Sequence, residues 1–274
     1  MAVLGVKDNT LPQIVLTQSQ TWVPPQDGNV CIHVIGAGAS GRSNTTPSLA
    51  NGGGAGGYCK KNSLAVTTSG SFTVVVGVGG VNITSAPNSA SYHNAGGNST
   101  VAGTGLSATL TANGGAGYDG RGASYQLLGG AASNGDVNNI GGSGNNGGGG
   151  AVGVYGAGAV GNAAAYYYRG GSTDAYGDVS LSGFGHIAGG KGGNGRSFVG
   201  AQARDVPGFG ETGGFLCGGG SVYVQTNQVG NVSIYAGDGG IGGGGGGLRM
   251  ASTGGQVSTG KGGDGLVLIQ YLPS

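Results

Sequence analysis

Residues 237–247 read GDGGIGGGGGG, nine glycines in eleven positions. No helix or strand interior is written this way, because glycine there costs roughly 0.5–1 kcal/mol relative to alanine. A chain that keeps such a run uses what glycine alone provides: a backbone without a Cβ, against which another backbone can lie. Related runs recur at residues 51–57 (NGGGAGG), 113–122 (NGGAGYDGRG), 141–150 (GGSGNNGGGG), 189–195 (GGKGGNG) and 260–265 (GKGGDG). Within 189–195 glycine keeps phase three, with Gly189, Gly192 and Gly195 in one row and Gly190 and Gly193 in a second. Three residues per turn is the period of the polyproline-II type of helix, which makes no internal hydrogen bonds. Its N–H and C=O groups must then be satisfied by neighbours. The expectation is a bundle of polyglycine-II threads, in which nine residues span roughly 28 Å.

Composition favours an ordered bundle over a flexible tract. Glycine fills 71 of 274 positions, yet hydrophobic residues remain at 37% and there are 12 tyrosines. The runs alternate with complex segments rather than with serine-glycine monotony. Charged residues make up only 8%, against about 25% in an ordinary domain, so cohesion must come largely from backbone hydrogen bonds, each worth a net ~0.5–1.5 kcal/mol. Collagen is excluded, since it needs glycine at every third position and abundant proline, and the chain has 7 prolines. A net charge of +1 supplies no field to attract nucleic acid or an anionic membrane. The opening MAVLGVKDNTLPQIV lacks the basic and apolar regions of a signal peptide, and no apolar run approaches the ~20 residues of a membrane span. Cys31, Cys59 and Cys217 are too few and scattered for a disulfide framework or a zinc site. They are expected as reduced thiols, with a Cys31–Cys59 bridge as the alternative.

Three regions are expected. Residues 1–28 contain the only tryptophan, Trp22, beside Pro24 and Pro25, and no glycine between Val6 and Asp27. They read either as an attachment segment, with Ile14, Leu16, Trp22, Pro24 and Pro25 as its contact residues, or as an ordinary first strand with a lead-in. Residues 29–112 are β-rich: 30–35 (VCIHVI) and 72–76 (FTVVV) are β-branched runs bounded by glycine, 58–66 and 108–112 are weaker strands, and 66–72 reads as a hairpin. The strand at 266–272, carrying LVLIQY, returns to close a small β-sandwich. Residues 113–265 form the bundle. The fold class is thus mostly β and irregular, a sandwich continuous with a polyglycine-II bundle, with essentially no α-helix.

The bundle region is interrupted by aromatic segments at 123–140, 161–187, 196–211 and 221–236. Tyr, Ser, Gly and Asn are the residues that binding loops favour, and loops on a rigid scaffold are where recognition usually sits. The candidate binding residues are Tyr125, Leu127, Leu128, Tyr166, Tyr167, Tyr168, Arg169, Tyr176, Phe184, Phe209, Tyr223 and Tyr235. Tyr166–Tyr168 with Arg169 is the strongest group, because three consecutive rings cannot all face one interior.

Catalytic motifs fail on inspection. Residues 36–41 (GAGASG) match G-x-G-x-x-G after a strand, but no helix pattern follows and no Asp or Glu occurs between Gly28 and Tyr118. Residues 255–261 (GQVSTGK) and 185–191 (GHIAGGK) fit a phosphate loop until Gly262 and Gly192 occupy the Ser/Thr position. Residues 114–119 (GGAGYD) resemble a single calcium-binding repeat, where a β-helix needs several. His33, His93 and His186 are isolated, and His33 reads as a satisfied sandwich residue. The chain is read as a non-enzyme with no cofactor and no metal site.

The order of motifs resembles the glycine-rich domains of bacteriophage tail-fibre proteins, carried by VCIHVIGAGASG (30–41), NGGGAGGYCKK (51–61), SFTVVVGVGG (71–80) and GGDGLVLIQY (262–271). Within that family the size and the alternation of glycine motifs with loops are similar to the tip adhesins of T-even-type long tail fibres. The resemblance implies a receptor-recognising protein at the distal tip of a tail fibre in the virion, made in the host cytoplasm. Its partners would be a bacterial outer-membrane protein or lipopolysaccharide, and a trimeric tail-fibre protein held through the N-terminal segment; no nucleic acid is implied. Rival expectations are a structural fibre or baseplate spacer, a fibre-assembly chaperone and, against the bulky aromatic loops, an ice-binding protein.

Overall fold

The computed structural model describes residues 13–44, 52–85, 94–116, 127–144, 148–150, 158, 161, 180–181, 187–188, 196–199, 208–209, 213, 218–219, 222–225, 234–250 and 257–273. Among them there is no helix, and the fold is mostly β. The first eleven strands are β1 (Gln13–Leu16), β2 (Gln20–Trp22), β3 (Gly28–Ile35), β4 (Ser43–Asn44), β5 (Tyr58–Val66), β6 (Phe72–Val75), β7 (Thr84–Ser85), β8 (Ser99–Gly103), β9 (Leu110–Ala112), β10 (Ala132–Ser133) and β11 (Val137–Asn139). Short strands follow: β12 (Ser180–Leu181), β13 (Ile187–Ala188), β14 (Arg196–Val199), β15 (Gly208–Phe209), β16 (Val222–Gln225), β17 (Ile234–Tyr235), β18 (Leu248–Met250) and β19 (Val257–Ser258). The long β20 (Leu266–Tyr271) comes last.

The expected sandwich is present as two antiparallel sheets, in strand orders β1-β20-β3-β5-β11 and β10-β9-β8-β6-β2. Period-two alternation explains the core. Val30, Ile32 and Val34 of β3 and Val267 and Ile269 of β20 meet Phe72, Val74, Val101 and Leu110 from the second sheet. Each such side chain contributes about 1.5–3 kcal/mol by leaving water. The returning strand β20 lies between β1 and β3.

Two expectations are corrected here. Residues 66–72 are not a hairpin: β5 pairs with β3 and β11, β6 with β2 and β8, so the turn that Gly70 N–H closes on Thr67 O (2.8 Å) crosses between sheets. Nor is residue 28 a boundary. β1 and β2 form an edge of each sheet, and Ile14, Leu16 and Trp22 belong to the core, with the Trp22 ring packed at a tilt against Phe72, centroids 5.1 Å apart. Pro24 is buried and Pro25 exposed. Four of the five proposed attachment residues are therefore occupied within the fold.

Beyond the sandwich the strands run directly into glycine threads. In chain order these are thread 1 (residues 36–41), 2 (52–57), 3 (77–83), 4 (94–98), 5 (113–116), 6 (127–131), 7 (140–144), 8 (148–150), 9 (218–219), 10 (236–240), 11 (242–247) and 12 (259–265). Thread 1 shows the lattice. Gly36 and Ala39 donate to thread 2 (Gly57 O at 2.9 Å, Gly54 O at 2.8 Å). Ala37 and Ser40 donate to thread 4 (Gly97 O at 3.1 Å, Asn94 O at 2.9 Å). Gly38 and Gly41 donate to thread 12 (Gly263 O at 2.8 Å, Gly260 O at 2.9 Å). Its carbonyls accept from the other sides: Ala37 O from Gly115, Gly38 O from Gly80, and Ala39 O from Gly245, at 2.8–2.9 Å. Donors that rotate with period three define polyglycine II.

Threads 1, 2 and 11 bond mutually and are buried throughout. Around them threads 3, 4, 5, 6, 7, 8, 9, 10 and 12 close a ring, each touching the next and thread 12 returning to thread 3 through Gly262 N–H to Gly80 O (2.9 Å). A triangle inside a ring of nine is hexagonal packing. Strands adjacent in a sheet feed threads adjacent in this lattice, so sandwich and bundle are one hydrogen-bonded body. The expected division at residue 113 is therefore not spatial: threads 1 to 4 come from the β-rich region. The run 237–247 also proves to be two antiparallel threads, folded back by a turn in which Gly243 N–H donates to Gly240 O (2.7 Å) and Gly242 takes φ 68°.

Candidate functional site

The direction of the threads gives the molecule two unlike ends. At the sandwich end, Gln13 pairs with Gln270 and Leu272 N–H donates to Asn29 O (2.8 Å). Both ends of the described chain thus emerge there. Two further bonds tie that end together. Tyr271 Oη donates to Gln26 O (2.9 Å), and the Asp27 carboxylate accepts from Thr68 N–H (2.7 Å). Threads 1, 3, 5 and 7 run away from the sandwich, and threads 2, 4 and 6 run back into it, so the described thread and strand ends at Asn44, Gly52, Ser85, Asn94, Ala116 and Leu127 lie toward the opposite, free end.

The free end carries a second, smaller pair of sheets. In β14-β16-β18-β4 all pairings are parallel, and β18 and β4 leave the bundle on threads 11 and 1. In β15-β17-β19-β7 the strands β15, β17 and β19 are parallel, and β17 and β19 lead back into threads 10 and 12. The chain thus repeats one path: out along a thread, through one sheet, across to the other, and back. The register couples Arg196, Val222 and Leu248, spaced 26 residues apart at each step. In the second sheet the steps are 26 and then 23 residues, from Gly208 to Ile234 to Val257, so no strict sequence period marks these strands.

Of the candidate binding residues, the structure brings three to the free end. Phe209 lies in β15, Tyr223 in β16 and Tyr235, 38% exposed, in β17. Leu127 is buried and bridges to Gly144, while Leu128 is 64% exposed on the bundle flank. Tyr125, Tyr166, Tyr167, Tyr168, Arg169, Tyr176 and Phe184 lie outside the described residues. Residues not singled out from sequence share the Tyr223 register: Ser197, Arg249 and Asn44 stand level with it across the four strands.

The side-chain chemistry with perturbed protonation lies in the sandwich, far from that end. His33 Nδ1 is 2.7 Å from Tyr58 Oη, and its Nε2 is 3.1 Å from Gln270 Oε1 and 3.3 Å from Cys31 Sγ. Since Gln270 Oε1 only accepts, Nε2–H donates to it and the Tyr58 hydroxyl donates to Nδ1, which is the neutral tautomer. Burial first, and the Lys60 ammonium second, hold the His33 pKa down to about 4. His33 is thus the satisfied sandwich residue expected. Cys31 and Cys59 are free and buried. Val34, which faces the core, pairs with Cys59 while Cys31 pairs with Gln270, so the two thiols sit on opposite faces of the sheet and form no bridge. Burial raises both thiol pKa values, that of Cys59 to about 11. Among the described residues no cluster of three or more His, Cys, Asp or Glu is placed to hold a metal, and no helix is long and apolar enough to cross a membrane.

The chain belongs to the glycine-rich domain family, whose model matches residues 15–272. No curated protein matches it.

Proposed function

We propose that the protein is a host-recognition adhesin at the tip of a bacteriophage tail fibre, acting by binding and not by catalysis. One observation carries the reading: both ends of the described chain lie at the sandwich end, while the described ends of the outgoing threads and the second pair of sheets lie at the other. A molecule anchored by its sandwich end would present the free end outward. The motif order shared with tail-fibre glycine-rich domains supports the same reading.

The lattice supplies rigidity, so that segments it carries bind with little ordering cost. On this proposal the free end meets a bacterial outer-membrane protein or lipopolysaccharide. The sandwich end seats on the trimeric fibre through the surface around exposed Val23 and Pro25 rather than through the core residues Ile14, Leu16 and Trp22. The test is binding of the purified chain to host cells, beside a Tyr166/Tyr167/Tyr168 triple alanine variant and a Tyr223→Ala/Tyr235→Ala variant. Saturable binding lost by either folded variant supports the adhesin. A folded wild-type chain that binds no cells overturns it in favour of a spacer or chaperone.

A further inference from the structure

The ring of the bundle is written in a four-residue pattern, two glycines between two other residues. It reads 78–81 (VGGV) on thread 3, 95–98 (AGGN) on thread 4 and 113–116 (NGGA) on thread 5. It returns as 128–131 (LGGA) on thread 6, 140–143 (IGGS) on thread 7, 238–241 (DGGI) at the end of thread 10 and 261–264 (KGGD) on thread 12. All the flanking residues are exposed or half-exposed, whereas the central threads 1, 2 and 11 are buried throughout.

A helix with three residues per turn explains the spacing. Residues i and i+3 share one row, and the other two rows face neighbouring threads. A Cβ on Gly79 would overlap the carbonyl of Gly262 on thread 12, and one on Gly80 that of Asn94 on thread 4. Gly129 and Gly130 abut Gly141 of thread 7 and Asn113 of thread 5 in the same way. The flanking residues make the third row, which faces outward, with Val78 67%, Val81 59%, Leu128 64% and Ile140 56% exposed. That row still carries unused backbone. Among the described residues the N–H groups of Val78, Val81, Leu128, Ala131 and Ile140 have no acceptor.

Unpaired backbone along an open flank is the liability of an edge strand, a template on which another chain can pair. Hexagonal packing sets no limit to its own width, so something other than the lattice must stop it at the ring. An added thread would settle in the groove between two ring threads, at the spacing where a Cβ already overlaps a carbonyl inside the bundle. We infer that the outward rows are a guard, and that the partner they exclude is a second copy of this chain, whose ring has the same period and the same unpaired donors. Alanine is tolerated within the lattice at Ala37, Ala39 and Ala55, so the guarding falls to the larger members, and each of the seven patterns has at least one. Two copies stripped to glycine on one flank would pair flank to flank about a two-fold axis. The inference does not depend on the adhesin reading: it concerns how many copies make one body, whatever that body binds.

The experiment uses the full chain in sedimentation velocity over a range of concentrations, with folding checked by the fluorescence of Trp22. Leu128→Gly/Ala131→Gly/Ile140→Gly/Ser143→Gly strips the adjacent threads 6 and 7. Leu128→Asn/Ile140→Asn keeps bulk there and removes apolarity. Wild type and the asparagine variant should sediment as monomers, while the glycine variant, although less apolar, should associate with concentration until its apparent mass at least doubles. Should the glycine variant not fold, Val78→Gly/Val81→Gly/Ala95→Gly, which strips threads 3 and 4, decides in its place. A folded glycine variant that stays monomeric overturns the guard. So does a wild-type chain that associates and is dispersed by the asparagine substitutions, because the flank is then an adhesive face.

Discussion

Glycine does two separate jobs in this molecule, and single substitutions separate them. Within the threads only Gly242 has a positive φ, so almost every thread glycine adopts a backbone that other residues could share. What excludes them is space. A Cβ on Gly38 would overlap the carbonyl of Gly243, and one on Gly244 that of Gly53, with backbone on every side and nothing able to swing away. Gly38→Ala is expected to destabilise by about 3 kcal/mol or more, the upper range for overpacking, while Gly242→Ala costs roughly 1–2 kcal/mol for its left-handed conformation. Val78→Thr, at a position 67% exposed on the bundle flank, should stay within about 0.5 kcal/mol. Urea midpoints of the three variants rank these effects. His33 gives a second residue-scale expectation. Its pKa falls from 6.5 to about 4 on folding, so the unfolded chain binds the proton more readily. Its contribution is complete above pH 6.5 and is lost as pH falls towards 4, about 3 kcal/mol in all. His33→Gln should flatten that part of a stability–pH profile. The thiols of Cys31 and Cys59 should resist alkylation at pH 8 in the native protein and react on denaturation, as read by mass spectrometry of their peptides.

At the scale of elements, the run GDGGIGGGGGG, read with the other glycine runs and the composition, pointed to a glycine lattice over a flexible tract. It did not announce its own reversal. The turn at Ile241–Gly242 is set by lattice neighbours, Asp264 O accepting from Gly242 N–H (2.8 Å) and Gly242 O from Gly56 N–H (2.8 Å), both distant in sequence. Residues 1–28 were misleading for a related reason. Absence of glycine looked like a change of domain, but it marks strands that must supply side chains to a core, and Ile14, Leu16 and Trp22 do so. The G-x-G-x-x-G match at 36–41 likewise has a structural meaning: it is one of the three central threads, tolerating Ala37, Ala39 and Ser40 where a Cβ fits between neighbours. The Tyr223 register row was hidden because Asn44 joins it from far earlier in the chain than Ser197, Tyr223 and Arg249, and because these strands are too short for period-two alternation to show.

At the scale of the whole molecule, side chains and backbone divide the labour. The sandwich is held by apolar burial and the bundle by hydrogen bonds, and the junction lies where β3, β6, β9 and β11 pass into threads 1, 3, 5 and 7 without a loop. A chain ending at residue 236 would lack almost all of thread 10, threads 11 and 12, and strands β18, β19 and β20. It should fail to fold at all rather than yield a smaller domain, with the emission of Trp22, 3% exposed in the intact protein, shifting to that of a solvated indole. An intact near-ultraviolet spectrum in that truncation would show the bundle to be modular instead.

Thread 11 also sets the timetable of biosynthesis. The axis of the lattice is made by residues 36–41, 52–57 and 242–247, so the third of its central members is synthesised well over a hundred residues after the second. At about 5–20 residues per second, the nascent chain waits many seconds with two unsheathed polyglycine segments and an open gap between β1 and β3. Assembly is therefore concerted and late, and a cell making this protein must keep a long, sparsely charged, glycine-rich chain soluble until threads 11 and 12 and strand β20 have been made.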